Sequence, residues 1–210
     1  MTAPKYLLFD LDGTLVDSVP DLAISLNLLR AELDCPPITQ TEVSSMVGDG
    51  VGELVKRALG EELFHANKIG RFMQIYSDHL LDNTTCYPGI IDLLNSRPAE
   101  QMAIITNKPH QLTLKLLEGL NLLTQFKIII GGDSYAEKKP SPLPVINALA
   151  ELGATADQAV MIGDHHTDLY AGRGAGTATC FCAYGMGHND NLTSDYRAER
   201  ASDLYELFHG

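Results

Sequence analysis

Apolar residues fall along this chain in two rhythms. Tyr6-Leu7-Leu8-Phe9, Met102-Ala103-Ile104-Ile105, Phe126 to Ile130, Val160-Met161-Ile162 and Thr177 to Ala183 are short, nearly continuous runs. They read as strands buried on both faces. Elsewhere the spacing is helical, as in Leu22, Leu26, Leu29 and Leu33, or Leu54, Val55, Ala58 and Leu59, or Phe64, Phe72, Met73, Tyr76 and Leu80. Punctuation falls between these segments. Pro36-Pro37 stops the first helix, and Thr39 with Glu42 forms a capping-box signature for the next. Gly48-Asp49-Gly50-Val51-Gly52 breaks the chain again, Pro88-Gly89 opens a short helix, and Gly131-Gly132 ends the third strand. Further helices are expected from Leu112 to Leu120, after Ser141-Pro142, beyond Thr167 and from Ser202 to Phe208.

Strands alternating with helices call for a parallel sheet covered on both faces. From about Val16 to Cys86, however, the pattern is almost wholly helical. The fold class that follows is α/β, a doubly wound parallel-sheet core with an inserted α-helical cap. Residues 1–15 and 87–210 form the core domain and residues 16–86 the cap. Ligands of such sheets lie beyond the carboxyl ends of the strands. Asp10 and Asp12 end the first strand, Thr106 and Asn107 the second, and Asp164 the fourth, while Lys139 lies in the loop after the third.

Composition narrows the setting. With 210 residues and 45% hydrophobic content, the chain can bury a sizeable core. No run approaches the about 20 apolar residues of a membrane span, so no membrane partner is expected. The formal net charge of −12, with no Lys/Arg cluster to offset it, argues against nucleic acid. An anionic substrate therefore needs a locally positive site. Cys35, Cys86, Cys180 and Cys182 lack metal spacing and read as free thiols of a reducing cytoplasm. A monomer or a homodimer is expected.

The chemistry concentrates at Asp10-Leu11-Asp12-Gly13-Thr14. Side chains at i and i+2 share a strand face, so both carboxylates reach one small volume and repel unless a cation or proton relieves them. Taken alone, the stretch also reads as an Asp-rich turn. A calcium loop is excluded, because the further oxygen ligands and the closing Glu are missing. Together with Thr106, Lys139 in Lys-Lys-Pro-Ser-Pro, and Asp164 and Asp168 in Gly-Asp-x-x-x-Asp, the sequence resembles the haloacid-dehalogenase superfamily of phosphotransferases.

That resemblance implies roles consistent with the residues' own chemistry. Asp10 is expected to attack phosphorus and Asp12 to act as acid and then base. Asp10, Asp164 and the Asp12 carbonyl are expected to hold Mg²⁺, with Asp168 in support. Thr106 and Asn107 are expected to hold phosphoryl oxygens while Lys139 neutralises charge. Because Asp12 is present, hydrolysis of phosphate esters is implied rather than dehalogenation. A phosphomutase on the same scaffold and a non-catalytic protein are the competing classes.

The inserted segment resembles the superfamily's first cap class. Within it, residues 15–22 and 47–59 are similar to the phosphoglycolate phosphatases, which implies a small anionic phosphomonoester as substrate. Other sugar phosphates and pyrophosphate stay open as alternatives. Gly48 and Gly50 are candidates for close backbone approach to a carboxylate, with Lys56 or Arg57 nearby. His165-His166 departs from the small hydroxyl residue common in the family's fourth motif. Imidazole there admits Mn²⁺ or Co²⁺ as alternatives to Mg²⁺, or simply lies outside the metal's reach.

Overall fold

The run Tyr6–Phe9 forms β1, the inner strand on which the sheet is built, in this computed structural model, which describes residues 4–209. A two-residue strand β2 (Val16–Asp17) then leads into helices α1 (Val19–Ala31), α2 (Gln40–Ser44), α3 (Val51–Leu59) and α4 (Ala66–Asp78). The short β3 (Thr85–Cys86) returns antiparallel to β2, with Val16 opposite Cys86. After it come α5 (Ile90–Asn95), β4 (Met102–Ile105), α6 (His110–Gly119), β5 (Ile128–Ile130) and α7 (Leu143–Leu152). The chain ends with β6 (Ala159–Gly163), α8 (His166–Ala175), β7 (Ala178–Cys182), β8 (Tyr196–Ala198) and α9 (Asp203–Phe208).

Six strands make one parallel sheet in the order β5-β4-β1-β6-β7-β8. Phe9 lies opposite Ile104 on one side and Ile162 on the other, so Asp10 leaves the sheet between the ends of β4 and β6. Side chains alternate across β1 and serve two cores. Leu7 and Phe9 pack with Met102, Ile104, Val160 and Ile162 under α5, α6, α9 and the helical insertion. Tyr6 and Leu8 pack with Ala103, Ile105 and Met161 against Val145, Ala148 and Leu149 of α7. Two covered faces explain why these strands read as apolar runs rather than as alternations.

The insertion differs from its almost wholly helical reading at its two ends. There β2 and β3 form a ribbon that closes the segment where it leaves and rejoins the core. Strands of two residues carry no measurable period, which is why the helical pattern masks them. The capping box at Thr39 and Glu42 forms, with Glu42 N 3.2 Å from Thr39 Oγ1 and Thr39 N 2.7 Å from Glu42 Oε2. At the other end of the chain, β8 is a sixth strand at the sheet edge, paired with β7. Its three residues, Tyr-Arg-Ala, give no strand signal of their own.

Asp21 supplies a second clasp at the root of the insertion. Its buried carboxylate accepts from the amide and side chain of Asn83 and from the amide and hydroxyl of Thr84, at 2.7–3.0 Å. Burial alone would raise its pKa, yet these donors hold it below the usual carboxylate range. A carboxylate with a depressed folded pKa stabilises fully above the unfolded value and loses that contribution as pH falls through the folded one. Asp21→Ala orphans the donors of Asn83 and Thr84 and is expected to cost about 3 kcal/mol, or roughly 6–12 °C in Tm at pH 7. Thermal melts should show the gap from wild type narrowing below about pH 4; a gap independent of pH would contradict the clasp.

Candidate active site

The sheet delivers its reactive side chains to one place because β1, β4 and β6 end together. Asp10 follows Phe9 directly, with its amide bonded to the Ile162 carbonyl at 2.9 Å. The chain then turns tightly, the Leu11 carbonyl accepting from the amides of Thr14, Leu15 and Val16. Gly13 makes this turn at φ +85°, and a Cβ there would run into the Asp164 carboxylate. Glycine is thus required twice, for its backbone angle and for the close approach.

Two buried lysines divide the paired carboxylates between them. Lys139, only 2% exposed, places Nζ 2.8 Å from Asp10 Oδ1, 2.6 Å from Asp168 Oδ1 and 2.5 Å from the Ile105 carbonyl. Lys108 places Nζ 3.0 Å from Asp12 Oδ1 and 2.6 Å from the Tyr76 hydroxyl, with the Tyr76 ring centroid 4.5 Å away. Ser18 donates a further bond of 2.6 Å to Asp12 Oδ1. Burial works against both ammonium groups, but the adjacent carboxylates, with Tyr76 beside Lys108, hold each lysine above its usual value. Two buried cations are thus present in a chain of net charge −12, each already paired with a carboxylate of the site.

Asp164, Asp10 and Asp168 bring one carboxylate oxygen each within 4.8 Å of one another. Burial pushes Asp10 up to about 6 against the pull of Lys139. Asp164 rises well above 3.8, first by burial and then by the charges of Asp10 and Asp168. Its Oδ2 accepts from the amides of Met186 and Gly187, both at 2.9 Å, which do not supply a full counter-charge. Three buried carboxylates facing one ammonium leave an excess of negative charge, and all the donors are hard oxygens. This donor set fits Mg²⁺.

The remaining residues singled out from sequence distribute unevenly. Thr106 and Asn107 line the same cleft as Asp10 and Asp12, and Thr106 Oγ1 accepts from the Lys108 amide at 3.2 Å. Asn107 Nδ2 donates to the carbonyls of Gly48 at 2.8 Å and Lys139 at 3.0 Å. Gly48 and Gly50 line the cleft from the insertion side. Gly48 lies at φ +122° against the His165 ring. Lys56 and Arg57 are not brought to the cleft. Lys56, 38% exposed, pairs with Glu61 at 2.9 Å, and Arg57 pairs with Asp49 at 2.5 Å. Both stand on the face of α3 opposite buried Leu54, Val55, Ala58 and Leu59. Asp168 lies in the first turn of α8, where its Oδ2 accepts from the His165 amide at 3.0 Å.

Beyond that amide, the buried His165 ring turns to Thr167 Oγ1, 3.1 Å from its Nδ1, rather than to the three clustered carboxylates. Burial, followed by the charge of His166, pushes it down to about 4, so it is neutral near pH 7. Lys108, Tyr76, Ser18 and the Met186 and Gly187 amides were not singled out from sequence. Only Lys108 had a usable signal, its place directly after Thr106-Asn107 at a strand end.

The cavity bounded by Asp10, Asp12, Thr106 and Lys108 on the core side and by Gly48, Val51, Leu54, Phe72 and Tyr76 on the insertion side holds about 50 Å³. The insertion and the core thus line one cavity from opposite sides. Asn107 to Gly48 and Lys138 Nζ to the Asp49 carbonyl, at 2.6 Å, join the two.

Comparison with known proteins places this geometry in a lineage. The family model for haloacid dehalogenase-like hydrolases matches residues 7–182. A phosphoglycolate phosphatase of Chromobacterium violaceum is 41% identical over 213 residues, covering 97% of this chain and 96% of that protein. One of Aquifex aeolicus is 33% identical, covering 97% and 96%. The crystal structure of a predicted phosphoglycolate phosphatase from Haemophilus somnus superposes with a TM-score of 0.86 at 26% identity, covering 99% of each chain. With its parallel sheet, its strand-end carboxylates and its helical insertion in place, the chain belongs to the haloacid dehalogenase-like hydrolase family.

Proposed function

We infer that the protein is a Mg²⁺-dependent phosphatase that hydrolyses a small phosphorylated acid, 2-phosphoglycolate, to glycolate and phosphate. The observation that carries this reading is the division of Asp10 and Asp12 between Lys139 and Lys108 at one strand end. It gives two neighbouring carboxylates separate environments, the condition for one to act as nucleophile and the other as acid and base. The named relatives at up to 41% identity support the substrate class. Residues 16–86 act as the cap, and 1–15 with 87–210 as the core domain. The four free cysteines support a reducing, cytoplasmic setting.

In the first half-reaction an Asp10 carboxylate oxygen forms a bond to phosphorus while the bond to the glycolate oxygen breaks. Asp12 gives its proton to that oxygen. In the second half-reaction Asp12 takes a proton from water as the water oxygen attacks phosphorus, releasing phosphate and restoring Asp10. Lys139 offsets charge on the phosphoryl oxygens, and Thr106 and the Asn107 backbone orient them. Asp10 and Asp164, with Asp168 in support and the Asp12 carbonyl, would hold Mg²⁺. The ion would supply charge neutralisation that lets an anionic carboxylate approach an anionic phosphate.

Lys108 fits the other end of the substrate. A phosphorylated acid carries a second anion, and Lys108 is the buried cation on the cavity wall next to Asp12.

Phosphate release should favour phosphoglycolate over sugar phosphates, pyrophosphate and a nucleotide monophosphate, and should stop with chelator. Asp10→Asn should abolish turnover with the melting temperature retained; an active variant would remove Asp10 from the role of nucleophile. Lys108→Met should lower kcat/KM for phosphoglycolate by roughly ten- to a hundredfold, the loss of one charged hydrogen bond, and much less for an ester without a carboxylate. An equal loss for both would assign Lys108 to Asp12 alone. Saturating Mg²⁺ at a hundred times its Kd should raise Tm by roughly 5–10 °C. The increment should vanish in Asp164→Asn; its persistence would place the ion elsewhere.

A further inference from the structure

Beside the carboxylates lies a second group of donors of different chemistry. His165 and His166 open α8, and His188 comes from the loop that follows β7. One ring nitrogen from each of the three lies within 4.8 Å of the others. Their ring centroids are 4.1 Å apart for His165 and His166 and 4.9 Å for each of the other pairs. The two segments are fixed to each other by the His166 amide, which donates to the His188 carbonyl at 2.6 Å.

Stacking alone leaves this cluster incomplete. His166 Nδ1 is buried without a hydrogen-bond partner, and the Asp190 carboxylate stands 3.8 Å from it, beyond bonding distance. His165 Nδ1 is engaged by Thr167 Oγ1 at 3.1 Å, so its Nε2 is the nitrogen left for another partner. Asp190 Oδ1 lies 2.9 Å from His188 Nδ1, the arrangement in which a carboxylate orients a metal-binding imidazole through its far nitrogen. Three imidazoles with a carboxylate behind one of them form a donor set for Zn²⁺ and its neighbours in the transition series. Mg²⁺, which takes hard oxygen, has no claim on it.

We propose that His165, His166 and His188 form a transition-metal site, Zn²⁺ being its best-matched ion, with Asp190 orienting His188 and with no ligand shared with Asp10, Asp164 and Asp168. The site lies where it can act on the reaction centre. The His188 loop also carries the Met186 and Gly187 amides that hold Asp164 Oδ2. On the opposite side the His165 ring forms the surface against which Gly48 of the cap loop closes. An ion bound by the three rings ties α8 to that loop and fixes both contacts at once.

The experiment is equilibrium dialysis of tag-free protein against Zn²⁺ with millimolar Mg²⁺ present, together with visible absorption of the protein loaded with Co²⁺. One equivalent of Zn²⁺ per chain is expected, bound by wild type and by Asp10→Asn alike, with the intense visible bands of four-coordinate Co²⁺. His188 is 64% exposed, so His188→Asn is expected to fold with an unchanged melting temperature and unchanged Mg²⁺-dependent phosphate release. Its Zn²⁺ affinity should fall at least about tenfold, and His166→Gln should do the same. Failure to bind Zn²⁺ in the presence of Mg²⁺ would overturn the proposal. So would an equivalent that survives in both histidine variants, or one that is lost in Asp10→Asn. None of these outcomes depends on whether phosphoglycolate is the substrate.

Discussion

One ammonium group holds the reaction centre in its arrangement. Lys139 reaches from the loop after β5 to the Asp10 carboxylate at the end of β1, the Asp168 carboxylate in α8 and the Ile105 carbonyl at the end of β4. Four segments distant in sequence thus meet on one Nζ. Buried charges are costly unless paired, and removal of one partner from such a group typically costs about 3–5 kcal/mol. The pairing therefore constrains the sheet ends as well as the chemistry: the strands must finish together for the lysine to be satisfied. Gly13, pressed against Asp164, is the corresponding steric constraint on the first loop.

A strongly acidic chain that handles an anion has to concentrate its positive charge. Here that is done with two buried lysines rather than a surface patch. Each is already occupied by a carboxylate of the site, Lys139 by Asp10 and Lys108 by Asp12. In the function proposed above, the two anionic ends of phosphoglycolate would compete for charges that the protein has already desolvated, so no fresh burial of a lysine would accompany binding. The insertion completes this economy. The Tyr76 hydroxyl of α4 accepts from Lys108 Nζ and the Gly48 carbonyl accepts from Asn107 Nδ2, so the insertion and the core share the groups that line the cleft.

Much of this was legible in the order of the residues, for a physical reason. In a parallel sheet covered on both faces, the apolar run marks the strand and its first polar residues mark the site; Asp10, Thr106 and Asp164 are all found that way. Lys108 stands directly after Thr106-Asn107 at a strand end, but its pairing was not legible, because that depends on Asp12 and Tyr76, 96 and 32 positions away. Lys56 and Arg57 show the converse. They sit near the glycine-rich loop in sequence, but the helical period of α3 turns them away from the cleft. The period was there to be read from Leu54, Val55, Ala58 and Leu59. The ribbon of β2 and β3 and the edge strand β8 are too short to show a period at all, and His188 joins His165 only through the loop beyond β7.

The most direct test of the central claim, that Asp10 is the group that takes the phosphoryl from the substrate, is rapid acid quenching during turnover of phosphoglycolate with Mg²⁺, followed by peptide mass spectrometry. The account predicts one added phosphoryl group on the peptide that spans Tyr6 to Leu15, located at Asp10 and removed by hydroxylamine, as an acyl phosphate is. A phosphoryl group on any other residue, or steady turnover in which the protein never carries one, would contradict it.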